Sequence, residues 1–163
     1  MIADLLKKKW LLAALIVMLS WAVLGAIMAR AQSVNDNSLI TFPENYTKGS
    51  HYNTIDRGNA REEMFTSAEA IAAAKNGQPL PSGTVIVNEW YENGRLTHYF
   101  VMEKQTGWGG AYAPDLRAGD WRFRDFGPDK IPHQDDGTGC MACHRSQANG
   151  DFVWTHDQMK RMN

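Results

Sequence analysis

Cysteine is scarce in this chain. Its 163 residues include two, Cys140 and Cys143. Two cysteines exclude a multi-bridge disulfide framework, and without a second pair they exclude a four-thiolate zinc site. An excess of positive charge is also missing: 17 basic side chains stand against 18 acidic ones, a net charge of −1. Nothing in that balance attracts a polyanion in bulk, so nucleic-acid binding is not expected. Charge of either sign is absent from Trp10 to Ala29, a twenty-residue apolar run. There is no internal repeat and no low-complexity tract. About 130 residues follow the apolar run, the length of one domain. With 44% hydrophobic residues the chain is expected to fold into a globule.

The apolar run follows Lys7, Lys8 and Lys9. Basic residues ahead of such a run keep the N-terminus in the cytoplasm and send the rest across the membrane. Two outcomes are open. Ala29-Arg30-Ala31 is a cleavage-type sequence that would release a soluble protein beginning at Gln32. Residues 10–29 are also long enough to remain as a membrane-spanning anchor. Either way residues 1–31 serve export or anchoring, and residues 32–163 form a domain outside the cytoplasmic membrane, which in a bacterium is the periplasm. Its charge is uneven. Residues 1–31 carry a net +3 and the remainder, with 13 basic and 17 acidic side chains, a net −4.

The two cysteines sit in Cys140-Met141-Ala142-Cys143-His144. C-x-x-C-H is the attachment signature of a c-type haem. Thiols three residues apart on one helical turn can add across the two vinyl groups of a haem, and the next residue's imidazole can take the iron as axial ligand. A thioredoxin-like pair and a plain disulfide are the rival readings. The motif expects one covalent haem c held by Cys140 and Cys143, with His144 on the metal. The sixth iron position is open among His51, His98, His133, His156 and the eight methionines.

The local pattern between these ends is mixed. Residues 32–58 are polar without a sustained period. Thr66-Ser67-Ala68-Glu69 reads as a capping box opening a helix over about 67–76, with Thr66 as the cap and Gly77 as the stop. Thr84 to Glu92 and Arg95 to Lys104 read as strands joined by Asn93-Gly94, a two-residue hairpin turn. Unbroken pairing from that turn places Glu89 opposite His98 and Asn88 opposite Tyr99. It collects Ile86, Asn88, Trp90, Tyr99 and Val101 on one face, and Val85, Val87, Tyr91, Leu96, Phe100 and Met102 on the other. Asp120 to Phe126 alternates as a third strand, with Arg122 and Arg124 free to meet haem propionates or solvent. The expected class is α+β, an antiparallel sheet with flanking helices after an N-terminal hydrophobic helix.

Pro81-Ser82-Gly83-Thr84-Val85-Ile86-Val87, the Tyr99-Phe100 strand, Gly119-Asp120-Trp121-Arg122-Phe123, the C-x-x-C-H and Asp151-Phe152-Val153 together resemble the cytochrome P-460 family, which includes cytochrome c′-beta. The resemblance covers roughly residues 40–157. It implies an antiparallel sheet, often in a homodimer, and a haem whose sixth position faces the sheet and is often open. Asn88 and Tyr99 would then form the distal pocket and donate hydrogen bonds to a bound diatomic such as NO. In hydroxylamine-oxidising members a Lys follows the G-T-V-x-V run and cross-links to the haem. Here that residue is Asn88, whose amide is no such nucleophile, and the family's acid falls near Gln105. Small-ligand binding is therefore the leading expectation. An electron carrier serving a membrane oxidoreductase through a redox partner protein is the alternative, and hydroxylamine oxidation comes third.

Overall fold

The structure is a computed structural model and describes residues 39–134 and 137–162. The hydrophobic segment 10–29 and the division at residue 31 lie outside the described residues. Five strands form one antiparallel sheet in sequence order: β1 (Ser50–Arg57), β2 (Ala60–Thr66), β3 (Val85–Glu92), β4 (Arg95–Lys104) and β5 (Trp121–Phe126). Among the described residues three short α-helices flank it: α1 (Ala68–Lys75), α2 (Thr138–His144) and α3 (His156–Lys160). The expected α+β class and the β3–β4 hairpin are present. Strands β1 and most of β2 fall in sequence read as irregular or left unassigned. A register shift between His51 and Asn53 breaks the alternation of β1. Charged Arg61, Glu62 and Glu63 disguise β2.

The β3–β4 pairing departs from the expected one after two rungs. Glu92 pairs with Arg95 and Tyr91 with Leu96, around Asn93 and Gly94 at φ 50° and 77°. Trp90 then pairs with His98, because Thr97 is bulged out and its hydroxyl donates to the Trp90 carbonyl at 3.2 Å. Every later rung is shifted: Glu89 faces Tyr99, Asn88 faces Phe100, Val87 faces Val101 and Ile86 faces Met102. One extra residue sends each following side chain of β4 to the other face. Tyr99 and Val101 thus join Val87, Ile40 and Phe126 in a buried cluster. Phe42 and Tyr46 meet Tyr99 edge-on at 4.9 and 6.0 Å between centroids. Fully burying a side chain of the Val or Phe class is worth about 1.5–3 kcal/mol. Straight pairing would strip several such groups from the cluster, so burial fixes the bulge against the turn's own preference for continuous pairing.

The helix after β2 is capped one residue later than the sequence suggests. Ser67 accepts the Ala70 N–H at 3.2 Å. Thr66 still belongs to β2, and its hydroxyl donates to the Val85 carbonyl at 2.8 Å. The stop at Gly77 is as expected, at φ 66°. Helix α1 buries Ala70, Ile71 and Ala74, and it packs beside α3. On β5, Arg122 is buried rather than solvated, its guanidinium over Trp108 at 4.8 Å and Tyr112 at 5.5 Å. Arg124 donates to the Ile40 carbonyl at 2.6 Å, tying the start of the described chain to the sheet.

Candidate cofactor site

Helix α2 carries the cysteines. Gly137, at φ 67°, precedes it, and Met141 is its buried anchor. Helical pitch places Cys140, Cys143 and His144 on one side. No disulfide joins the thiols; Cys140 is half-buried and Cys143 exposed. All three residues line a cavity of about 660 Å³, with Val153, Trp154 and Thr155 beside them. The sheet supplies the other wall: Met64, Ile86, Asn88, Phe100, Met102 and Phe123.

His144 is held in one orientation. Its Nδ1 lies 2.7 Å from the Phe152 carbonyl oxygen, which can only accept, so Nδ1 is the protonated nitrogen. Burial holds the imidazole below its ordinary pKa, in the neutral form, against the opposing pull of that hydrogen bond. The ring packs on Phe123, 4.7 Å between centroids. Nε2 thus carries the free lone pair a metal needs.

The Phe152 carbonyl is itself braced. Asp151 and Phe152 both adopt left-handed backbone, φ 52° and 63°, which non-glycine residues rarely do. The Asp151 carboxylate offsets this by accepting the Leu80 N–H at 2.8 Å and the Lys104 ammonium at 2.7 Å. Trp121 Nε1–H donates to the Asp151 carbonyl at 2.8 Å. The Phe152 ring lies so close to Gly119 that a Cβ there would sit 2.6 Å from it. The Gly119-Asp120-Trp121 and Asp151-Phe152-Val153 stretches therefore lock together, and His144 hangs from the lock.

The sheet wall holds a polar group that the sequence does not disclose. Glu62 is 6% exposed. It accepts from Asn88 Nδ2 at 2.8 Å and from Arg57 Nε at 2.7 Å. Those bonds fix the Asn88 amide and leave its buried Oδ1 without a hydrogen-bond partner. A residue expected mainly as a donor thus presents an unused acceptor. Tyr99, expected beside Asn88, lies on the opposite face in the cluster around Phe42. The bulge at Thr97 is the reason, and Phe100 occupies the place instead. Gln105 is not in the cavity wall; it bonds Ser82 and Glu103. Arg124 reaches the lining and Arg122 does not.

A sequence profile described as cytochrome P460 matches residues 42–155. The chain belongs to the cytochrome P460 family. The match runs from Phe42 through the whole sheet, the cysteine helix and the Asp151-Phe152-Val153 lock. Membership makes this a haem protein. No curated protein matches the chain.

The cavity of this cytochrome P460 domain suits that cofactor. Its volume falls within the about 300–1,000 Å³ of cofactor pockets. Its walls offer apolar Ile86, Phe100, Met102 and Phe123 for a macrocycle, two thiols for vinyl groups and an imidazole nitrogen for iron. Arg57 and Arg124 on the lining suit carboxylates. Of the histidines weighed for the sixth position none lines the cavity. His51 bonds Glu63 at 2.6 Å, His98 and His133 meet Asp125, and His156 is buried on α3. Met64 and Met102 are the thioethers in the wall.

Proposed function

We propose that this protein is an exported c-type member of the family that binds a small ligand such as NO. Cys140 and Cys143 would hold one haem as thioethers, and His144 Nε2 would bind its iron. When bound, the haem would supply an iron position for a diatomic. The remaining work belongs to the chain. Burial keeps His144 neutral and the Phe152 carbonyl keeps it oriented, the aromatic and aliphatic lining limits water, and the Arg57–Glu62–Asn88 group sets the polarity of the sheet wall. The observation that carries this reading is one cavity lined by both thiols and by an imidazole whose Nδ1 is already engaged. Residues 10–29 direct the chain out of the cytoplasm, either cleaved after Ala31 or kept as an anchor.

Position 88 bears on the choice of chemistry. It lies in the cavity wall, and its side chain is an amide bonded to Glu62 rather than a free amine. A cross-link from this residue to the cofactor edge is not expected, which disfavours hydroxylamine oxidation. A second reading, a six-coordinate electron carrier, rests on Met64 and Met102 in the same wall. The optical spectrum of the ferrous holoprotein, with and without NO, divides the two. A broad, unsplit visible band that changes at once on adding NO supports ligand binding. Sharp, split bands indifferent to NO overturn it, and their loss in Met102→Leu or Met64→Leu would identify the cap. Cys140→Ala with Cys143→Ala is expected to leave no haem resistant to acid-acetone; retention of unextractable haem would sink the covalent assignment.

A further inference from the structure

His98, Asp125 and His133 converge on the same sheet face as the cavity, beyond Phe100. None of the three lines the cavity itself. The bulge at Thr97 turns His98 to this face, away from the Glu89 it was expected to meet. Its Nδ1 lies 3.2 Å from Asp125 Oδ1. His133 Nδ1 lies 2.9 Å from Asp125 Oδ2. One donor atom from each residue falls within 4.8 Å of the other two.

The three are set on braced backbone. Asp125 pairs with Phe100 in the β4–β5 ladder. His133 N–H donates to the Asp125 carbonyl at 3.0 Å, and Pro132 bridges to Phe126. The His98 ring is stacked on Phe100, planes 2° apart. Gly127 leaves the His133 ring its room: a Cβ at that position would stand 3.3 Å from Nε2. His98 and His133 side chains are 35% and 45% exposed, so an ion has a way in from solvent.

We propose that His98, Asp125 and His133 form a binding site for a first-row divalent transition-metal ion, with water completing the coordination. Two imidazoles and one carboxylate suit Zn²⁺ and its neighbours and not the oxygen-seeking Ca²⁺ or Mg²⁺. Ligands bound tetrahedrally at 2.0–2.1 Å stand about 3.3 Å from one another. Measured to the one oxygen Asp125 Oδ2, the separations from His98 Nδ1 and His133 Nδ1 are 3.3 and 2.9 Å, close to that value. The ion binds the two Nδ1 lone pairs while each neutral imidazole carries its single proton on Nε2, and the carboxylate offsets half its charge. Bound there, it ties the segment leading to the cysteine helix onto β4 and β5.

The test is Zn²⁺ titration of the full-length holoprotein by calorimetry, with metal-to-protein stoichiometry from native mass spectrometry. The variants are His133→Ala, His98→Gln and the control His51→Ala, an exposed histidine on the other hairpin. The expected result is one Zn²⁺ per chain, bound at least about tenfold more weakly in both site variants and equally well in the control. An unchanged haem absorbance and circular dichroism spectrum shows each variant folded. Should either site variant fail to fold, the other carries the comparison. No stoichiometric binding by the wild type, or equal loss in His51→Ala, overturns the proposal. So does full affinity in His133→Ala or His98→Gln.

Discussion

Replacing Asp151 by alanine tests whether the brace behind His144 has the strength its geometry indicates. The carboxylate accepts from the Leu80 N–H at 2.8 Å and from Lys104 Nζ at 2.7 Å. The charged partners are 14% and 16% exposed, so water screens them little. Hydrogen bonds to charged groups contribute about 1.5–3 kcal/mol each, and stripping one partner from a buried pair costs about 3–5 kcal/mol. Two facts reduce the sum: Lys104 keeps its bond to the Leu80 carbonyl at 2.8 Å, and the site is not wholly dry. A third raises it, because alanine tolerates φ 52° less well than aspartate. The expected loss is about 2–4 kcal/mol, or about 1–2 M in the urea midpoint. Equilibrium urea unfolding of the holoprotein measures it. Asp151→Asn, which keeps the backbone preference and one acceptor, should lose about half as much. In a double-mutant cycle with Lys104→Met the pair should couple by at least about 1 kcal/mol. The exposed Lys160–Asp157 pair, 3.1 Å apart, is the contrast: Asp157→Ala should leave the midpoint unmoved. A midpoint for Asp151→Ala within error of wild type, or no coupling to Lys104, refutes the reasoning.

Two further outcomes follow from the same region. Gly119→Ala forces a Cβ to 2.6 Å from Phe152 at φ 58°, so it should cost about 2–4 kcal/mol, read as a drop in melting temperature; an unshifted melting curve would show the contact to be soft. Burial, with help from the Lys160 charge, holds His156 below the ordinary imidazole range. The unfolded chain then binds a proton that the folded chain refuses, so stability is full above about pH 6.5 and falls as the pH drops below it. His156→Gln should flatten that slope in urea titrations at a series of pH values, and an unaltered slope would assign the acid sensitivity elsewhere.

The sequence disclosed the features that depend on short-range chemistry. Asn93-Gly94 must take positive φ and so marks the hairpin tip. Cys140, Cys143 and His144 are placed by helical pitch alone. The β3–β4 register was hidden because β4 is apolar on both faces: from Leu96 to Met102 no alternation shows where Thr97 leaves the ladder. Placing Tyr99 in the pocket was wrong for that reason. Glu62 gave no signal either, since a Glu between Arg61 and Glu63 reads as solvated. Only the fold brings Arg57 and Asn88 to it and makes burial tolerable. Gly58-Asn59 was a turn signal that could have revealed the first hairpin.

The meander has a consequence for assembly. Each strand pairs with its neighbour in sequence, and two of the pairs, β1–β2 and β3–β4, are tight hairpins whose loops are cheap to close. The ties that shut the cavity come last in the chain. Asp151 reaches back to Leu80 and Lys104, and Thr155 meets Tyr52 at 2.7 Å across 103 residues. The orientation of His144 on the cysteine helix depends on this last stretch, through the Phe152 carbonyl. Loading of the pocket is therefore expected to be easiest before that last stretch has docked. Mutations in residues 150–155 should accordingly lower the yield of filled protein before they alter its chemistry.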